Sequence, residues 1–366
     1  MKYSIQEPVP HQAAHHESIE ALWRLVWRKR CSAGIYPFME AKLEDFEGIF
    51  NQLIEAHHRP PYNFDRIAET FFPVAEDLNS RGDAAEKEGN LILACELYLR
   101  AAAVYRIARF PFPISTRQLH AWKCQKAVFF KGARHESSTK FPTIIQIYGL
   151  DGYRTEFTRK SNDHIRCGYA SIAVEIPGTG DCPAVVQDPT SPERLWSSLL
   201  DWLEHQDWVD RSRLVVWGVS TGGYYAARLA HTHRDRVAAV IAQGAGVHYM
   251  FEPDWLDLSS HLDYPFDLTY SLAVKFGYRD VEAMKKDALQ RFSLLANGLL
   301  DQPSAKLLLV NGVNDQIFPI EDSYLMLQHG SVKHARFVQG LGHMAEPAAT
   351  KIISEWLAGF FRTFAP

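Results

Sequence analysis

After about Cys124, the hydrophobic residues fall in short runs of strand length, and many of these runs end in glycine. The runs are rich in Val, Ile and Leu, and they are KAVFF, PTIIQIY, ASIAVEIPG, RLVVWG, VAAVIAQGAG, AKLLLVNG and ARFVQG. Helical stretches such as PERLWSSLLDWLEHQ and GYYAARLAHTH separate several of them. Buried apolar strands that alternate with helices predict an α/β fold with a doubly wound, mostly parallel sheet.

Before residue 112 the hydrophobic residues follow helical spacing instead. The first such segment carries its apolar residues on one helix face: Ile19, Leu22, Trp23, Val26 and Trp27. Two further helices are predicted to meet near Gly89 and Asn90. The stretch FPFPIS then opposes helix continuation through its prolines. We therefore predict an N-terminal helical domain over residues 1–123 and a sheet domain over residues 124–366.

The alternation of strands and helices is interrupted between two predicted strands, over residues 247–300. This segment has the pattern of several helices, and we interpret it as a helical cap inserted over the edge of the sheet. The chain is predicted to end in a helix from Pro347 to Phe361, whose apolar side chains form a stripe.

Composition narrows the classes of partner and cofactor. The net charge of −4 and the sequence pI near 6.5 argue against a nucleic acid or an anionic membrane as partner. The N-terminal stretch lacks the apolar core of a signal peptide, and the five scattered cysteines predict free, buried thiols in a cytoplasmic protein. The sixteen histidines do not occur at metal-ligand spacing, so we expect no metal and no other cofactor.

A possible nucleophile lies in the stretch WGVSTGGYY. Gly218-Val219-Ser220-Thr221-Gly222 follows a predicted buried strand and opens a predicted helix, which is the context that a nucleophile elbow requires. The alternative is a plain glycine-rich turn between strand and helix. The context favours the α/β-hydrolase fold with Ser220 as the nucleophile.

A serine nucleophile needs a base, and the base needs a group that orients it. In the α/β-hydrolase fold these groups follow the serine in the order Asp or Glu, then His, at the carboxyl ends of strands. Asp315 and His343 occupy such loops, after AKLLLVNG and ARFVQG. The nearby alternatives fit less well, since Asp301 and His334 precede their strands and Glu321 falls in a predicted helix.

Stabilising a tetrahedral oxyanion requires two N–H donors that are held in place. The backbone N–H of Thr221, directly after the nucleophile, is predicted to be the first. The second is predicted in the loop after the strand TIIQIY, where Gly149 lets the chain turn. The N–H of Leu150 is the first choice there, and that of Asp151 is the second.

Six stretches, taken in chain order, resemble the yellowish-green-type hydrolases of fungal pigment pathways. They are IYGLDGYRTE, EIPGTGDCP, GVSTGGYYAARLAHTH, QGAGVHYMF, NGVNDQIFP and GLGHMAE. Those enzymes shorten a polyketide by cleaving a carbon–carbon bond, and a wider relative, 2,6-dihydroxypseudooxynicotine hydrolase, cleaves next to a ketone on a pyridine ring. The resemblance implies that the N-terminal helices help to enclose the active site and that the protein is a homodimer.

The same resemblance suggests substrate-binding residues. The nicotine-pathway enzyme uses an acidic residue after the strand that follows the elbow, and Glu252 or Asp254 lies in the corresponding region here. His248 and Tyr249 follow the end of that strand and are predicted to line the pocket. The side chain of Asp151 is predicted to form the turn rather than to act in catalysis, and Asp151 is also a predicted substrate contact.

Together these observations predict a serine hydrolase that cleaves a carbon–carbon bond beside a carbonyl in a polyketide-like or aryl ketone substrate. Ser220 either attacks the ketone or polarises it while His343 activates water, and the sequence leaves both routes open. Hydrolysis of an ester, lactone or thioester by the same residues is an alternative. A non-catalytic hydrolase fold that binds or scaffolds is a third reading.

Overall fold

The computed structural model describes residues 13–131 and 140–364, and the chain divides into two units between these ranges. The N-terminal unit is helical. Its helices are α1 (Ile19–Leu22), α2 (Arg28–Ser32), α3 (Glu44–Glu55), α4 (Phe64–Lys87), α5 (Leu91–Ala108) and α6 (Thr116–Lys131), with a π-helical turn over Trp23–Trp27 between α1 and α2. The helical character of this region was predicted from the sequence.

The long helices α4 and α5 form an antiparallel pair in which both N-termini are capped. Asn63 accepts a hydrogen bond from the N–H of Arg66, and Asn90 accepts one from the N–H of Leu93. Each cap satisfies one of the amide groups that a helix N-terminus leaves without a partner. The turn between the two helices therefore lies at Gly89 and Asn90, as the sequence predicts.

The predicted strand KAVFF is wrong, because these residues belong to helix α6. The buried residues of that helix recur every three or four positions and are Gln118, Ala121, Trp122, Gln125 and Val128. The predicted domain boundary between residues 123 and 124 consequently falls inside α6. The helical unit continues to the end of that helix at least, whereas the sheet unit is described from residue 140 onward.

The second unit contains a six-stranded sheet whose described strands all run parallel. The strands are β1 (Phe141–Ile147), β2 (Ala170–Val174), β3 (Val209–Val219), β4 (Ala239–Gln243), β5 (Lys306–Gly312) and β6 (His334–Val338), in the spatial order β2-β1-β3-β4-β5-β6. Strand β2 pairs with one side of β1, and β3 pairs with the other side of β1. A crevice opens at the carboxyl ends of the strands at such a switch point.

Helices cover both faces of the sheet, which confirms the predicted doubly wound α/β-hydrolase architecture. They are α7 (Thr158–Arg166), α8 (Ser191–Glu204), α9 (Thr221–Thr232), α10 (Pro253–Ser259), α11 (Leu268–Lys275), α12 (Val281–Phe292), α13 (Ile320–Gln328) and α14 (Ala348–Arg362). One core lies between the sheet and α8, α9, α13 and the inserted helices α10 to α12. A second core lies on the opposite face, against α14.

The sequence also led to expectations about membrane helices, metal ligands and cysteines. Among the described residues, no helix combines the length and apolar character needed to cross a membrane. Within the same ranges, no three His, Cys, Asp or Glu side chains cluster as metal ligands would. The cysteines are unpaired, but only Cys31 is buried and Cys167 is exposed, so the expectation of buried thiols holds for one residue of the five.

The close contact between α4 and α5 makes a specific prediction. A methyl group at Gly82 would lie 2.6 Å from the ring of Tyr98, which cannot move easily because its hydroxyl donates to Asp83 and Glu86. We expect Gly82→Ala to lower the free energy of unfolding by about 1–3 kcal/mol, as overpacking does. Urea denaturation followed by circular dichroism measures this change.

Gly48 provides the matched control, because it lies on the exposed side of α3 with open space where a methyl group would be added. Gly48→Ala should raise the free energy of unfolding by about 0.5–1 kcal/mol through helix propensity alone. Stabilisation by both substitutions would show that α4 and α5 are not packed through Gly82.

Candidate active site

Ser220 lies in a sharp turn between β3 and α9, at the carboxyl edge of the sheet. Its backbone has φ 55° and ψ −125°, a conformation that costs a residue with a side chain about 1–3 kcal/mol. The turn is possible because strand and helix approach closely at two glycines. A methyl group at Gly218 would overlap the backbone of Gly222, and one at Gly222 would overlap the carbonyl groups that end β1. The local geometry is that of a nucleophile elbow.

The structure brings the three predicted catalytic side chains together. His343 Nε2 lies 2.8 Å from Ser220 Oγ, and His343 Nδ1 lies 2.8 Å from Asp315 Oδ2. The Asp315 side chain is fully buried, and that of His343 is 13% exposed. The imidazole is thus placed between hydroxyl and carboxylate as a base with an orienting group requires. The alternatives to Asp315 and His343 have other partners. Asp301 Oδ1 lies 2.7 Å from His329 Nδ1, and His334 Nδ1 accepts from Trp356 Nε1.

Further hydrogen bonds fix the carboxylate of Asp315. Its Oδ1 accepts from the N–H groups of Ile317, at 2.8 Å, and Phe318, at 3.1 Å. Its Oδ2 accepts from Asn311 Nδ2 at 2.9 Å in addition to facing His343. A buried carboxylate with this many donors is held in one orientation and stays suited to stabilising an imidazolium.

Two residues with buried amide side chains connect the loops that carry these residues. The backbone carbonyl of Gln243, at the end of β4, accepts from Ser220 N–H at 2.7 Å, and its side chain donates to the carbonyl of Met344 at 2.9 Å. Asn311, in β5, donates to Asp315 and accepts from Met344 N–H at 3.0 Å. Both amides are fully buried. The sequence analysis did not identify either residue, although each stands at or next to the last residue of a strand.

The loop after β1 passes directly beside Ser220. A methyl group at Gly149 would lie 2.9 Å from Ser220 Cβ and 3.3 Å from its Oγ. Leu150, the next residue, is buried, and Thr221 is the fully buried first residue of α9. The first N–H groups of a helix have no acceptor within the helix, so Thr221 N–H is suited to receive an oxyanion. The assignment of Thr221 and Leu150 as oxyanion donors stays a prediction.

The segment that follows β4 is anchored by a carboxylate that the sequence analysis missed. Asp322, in the first turn of α13, accepts from the N–H groups of His248, Tyr249 and Met250 at 2.8 to 3.0 Å. Its complete burial raises the pKa to about 7, although these donors lower it. This cluster fixes where the helical insertion begins.

The remaining predicted substrate residues lie in different surroundings. Asp151 is buried and accepts from the hydroxyl of Tyr264, in the insertion, at 2.9 Å. His248 Nδ1 lies 2.6 Å from Ser293 Oγ, and its ring packs against that of Tyr249. Glu252 is partly buried at the start of α10, whereas Asp254 is exposed. Contact of these side chains with substrate stays a prediction.

Comparison with known families supports a hydrolase. The family model described as esterase FrsA-like matches residues 113–357. Esterase FrsA from Yersinia pestis and from Yersinia pseudotuberculosis is 25% identical over 267 residues, which cover 71% of this chain and 60% of each relative. The matched region is therefore under two thirds of the length of these curated relatives.

Solved structures with the same fold include a 2,6-dihydroxy-pseudo-oxynicotine hydrolase and the protein AbyA5. The first has a TM-score of 0.69 and 17% identity, and the match covers 90% of this chain and 94% of that one. AbyA5 has a TM-score of 0.59 and 19% identity, with 78% of this chain and 82% of that one covered. The predicted α/β-hydrolase resemblance, including the likeness to the pseudo-oxynicotine hydrolase, is confirmed at the level of the fold.

The contact between Gly149 and Ser220 gives a test of the site that needs no knowledge of the substrate. Gly149→Ala places a methyl group against Ser220 Oγ and should displace it from His343. We expect the rate of labelling by a fluorophosphonate probe to fall about tenfold or more, since small displacements of reacting groups are costly. Intact-mass spectrometry over time measures the rate.

Gly48→Ala serves as the control in this labelling experiment, because its added methyl group meets open space. It should label at the rate of the unmodified protein. Equal labelling rates for Gly149→Ala and the control would mean that the loop after β1 does not constrain Ser220.

Proposed function

This chain belongs to the esterase FrsA-like family, and we propose that it is a serine hydrolase that cleaves a carbon–carbon bond beside a carbonyl group. The substrate class is an aryl ketone or a polyketide-like 1,3-diketone. The observation that carries the hydrolase proposal is the continuous hydrogen-bonded series from Ser220 through His343 to Asp315.

In the first half of the reaction, Ser220 Oγ attacks the ketone carbon while its proton passes to His343 Nε2. Asp315 stabilises the imidazolium that forms. The oxyanion receives hydrogen bonds from Thr221 N–H and a second amide of the loop after β1. Collapse of this intermediate breaks the bond to the α-carbon, and the electron pair leaves as an enolate.

In the second half, the imidazolium of His343 returns its proton to the leaving carbon, and the acyl group remains on Ser220. Water then attacks the acyl carbon with His343 as the base and releases a carboxylic acid. A variant of this route omits the acyl-enzyme, with His343 activating water directly. The 2.8 Å contact of Ser220 Oγ with His343 Nε2 favours the nucleophilic route.

Two observations support the carbon–carbon bond as the target. The whole-chain likeness to 2,6-dihydroxy-pseudo-oxynicotine hydrolase extends over nine tenths of this sequence, beyond the elbow region that many hydrolases share. The insertion also reaches the carboxyl edge of the sheet, where its Tyr264 donates to Asp151, two residues beyond Gly149. A covered site excludes water from the leaving carbanion.

Ester hydrolysis by the same residues is the second candidate. It is favoured by the curated relatives, which are named esterases, and it needs the same nucleophile, base and oxyanion donors. A homodimer and a cytoplasmic location stay predictions that accompany either activity.

Substitution of the triad tests the hydrolase proposal directly. Ser220→Ala should reduce turnover about 10³-fold or more, since the nucleophile is lost while the fold is retained. Asp315→Asn should reduce it about 10²-fold or more, because an amide cannot stabilise the imidazolium of His343. Turnover of the true substrate and the thermal unfolding midpoint are measured together.

Asp301→Asn is the matched control for Asp315→Asn, because Asp301 is an exposed carboxylate that pairs with His329. It should leave turnover unchanged. Retention of more than about a tenth of turnover by Ser220→Ala would exclude Ser220 as the nucleophile.

A parallel assay distinguishes the two candidate reactions. An aryl 1,3-diketone should be cleaved to a short carboxylic acid and an aryl ketone, whereas short p-nitrophenyl esters should be poor substrates. The physical reason is that the covered site is suited to a leaving group that must be protected from solvent. Mass spectrometry at matched enzyme and substrate concentrations identifies the products. Rapid ester turnover without cleavage across a polyketide panel would favour the esterase.

A further inference from the structure

Three buried polar side chains lie together at the carboxyl end of β2, outside the triad. They are Glu175, Thr179 and Lys275, which are 8%, 3% and 3% exposed, and we call them the Glu175–Lys275 cluster. Glu175 Oε2, Thr179 Oγ1 and Lys275 Nζ make no hydrogen bond to any described residue. Buried polar groups are normally satisfied, so each of these atoms requires an explanation.

The fold brings the cluster together from two separate segments. Glu175 directly follows β2, and Thr179 lies in the loop that continues from it. Lys275 is the last residue of α11, in the helical insertion. A methyl group at Gly178 would lie 2.5 Å from the Lys275 carbonyl oxygen, and one at Gly180 would lie 2.7 Å from Glu175 Oε1. The loop is therefore packed against both Glu175 and Lys275.

The cluster lies at the same edge of the sheet as Ser220. Val174 pairs with Ile147 of β1, and Ile147 pairs with Gly218 of β3. Two strand spacings, about 10 Å, therefore separate the backbone at Glu175 from that at the elbow. The loop after β1 lies between them, with Gly149 against Ser220 on one side. A substrate of moderate size can span this distance along the strand ends.

Charges from several segments act on the cluster. Burial lowers the pKa of Lys275 to about 7, and the charges of Glu175, Cys182 and Asp151 oppose that shift. Burial raises the pKa of Glu175 to about 7, where Arg154 lowers it and Glu156 raises it. Arg154 also donates to Glu175 Oε1 at 2.8 Å, which leaves Oε2 as the oxygen without a donor among the described residues.

We propose that the Glu175–Lys275 cluster is a substrate subsite for the leaving part of the substrate. It binds two neighbouring oxygens there, as in an enolised 1,3-diketone or an ortho-hydroxyaryl ketone, and both are distinct from the carbonyl oxygen at Ser220. Lys275 Nζ donates to the carbonyl oxygen, and Glu175 Oε2 accepts from the enol or phenol hydroxyl. Thr179 Oγ1 is available to either oxygen. The inference deepens the proposed function and rests on it for the position of the substrate.

The donor set argues for this substrate chemistry. A simple carboxylate ligand would leave Glu175 beside a second negative charge, and a simple amine would leave Lys275 beside a second positive one. A carbonyl next to a hydroxyl presents one acceptor and one donor, which match the ammonium and the carboxylate. Glu175 Oε2 and Lys275 Nζ then gain the hydrogen bonds that no described residue supplies.

A binding experiment tests the subsite without any turnover. In the Ser220→Ala background, the dissociation constants of benzoylacetone, which enolises, and of butyrophenone, which has one carbonyl, are measured by calorimetry. We expect benzoylacetone to bind about tenfold or more tightly, as a charge-assisted hydrogen bond predicts. Adding Lys275→Met should bring the ratio of the two constants close to one.

Two measurements separate a loss of ligand binding from a loss of folding. Lys275→Met should raise the thermal unfolding midpoint, because it removes a buried amine that has no hydrogen-bond partner among the described residues. Glu175→Gln, which keeps the shape of the side chain, should also reduce the binding ratio. Lys333→Met is the control, since Lys333 donates to the carbonyls of His329 and Ser331 before β6, at the opposite edge of the sheet. It should preserve the ratio.

The outcomes separate this inference from the proposed reaction. A ratio that survives both Lys275→Met and Glu175→Gln, or no preference for benzoylacetone in the Ser220→Ala protein, overturns the subsite. A lowered unfolding midpoint with equal weakening for both ketones assigns Lys275 a structural role and also overturns it. If the protein with Ser220 intact cleaves no member of the polyketide panel while the preference for benzoylacetone is present, carbon–carbon cleavage is excluded and the subsite stands.

Discussion

Two residues with fully buried side chains, Gln243 and Asn311, connect the loops at the carboxyl ends of β3, β5 and β6. Gln243 accepts from Ser220 N–H through its backbone carbonyl and donates to the Met344 carbonyl through its side chain, while the Asn311 side chain bonds to both Asp315 and Met344. Each residue thus joins the loop of His343 to the loop of one of its partners. Because a buried amide that loses a partner is costly, the three loops are held in one arrangement. The strained backbone of Ser220 persists for the same reason.

The insertion depends on similar buried polar contacts at its start and near its middle. Asp322 receives three backbone N–H groups where the segment leaves β4, and Asp151 receives the hydroxyl of Tyr264 further along. Both carboxylates belong to the parallel-sheet framework or its flanking helix rather than to the insertion itself. The framework therefore dictates where the insertion lies, and the insertion in turn contributes Lys275 to the carboxyl edge.

The parts of the site that the sequence predicts are those encoded locally. Ser220 lies between two glycines at a strand-to-helix junction, and Asp315 and His343 follow strands in the expected order, so short windows suffice. Gln243, Asn311 and Asp322 were missed because the contacts that join each of them to a distant segment span 33 to 101 residues of the chain. The error at KAVFF has a different origin. Its β-favouring residues conceal a helical period that appears only over the whole of α6.

The Glu175–Lys275 cluster bears on the choice between ester and carbon–carbon cleavage. An ester leaving group departs as an alkoxide that protonates readily, whereas a carbon leaving group must be stabilised as an enolate. A buried ammonium that binds a carbonyl conjugated with that enolate acts on the charge as it develops, in surroundings of low dielectric constant where its effect is large. Burying a lysine amine and a glutamate oxygen that have no hydrogen-bond partner among the described residues destabilises the fold. Such a cost is expected where function requires it, and here both groups lie at the edge of the sheet that carries Ser220.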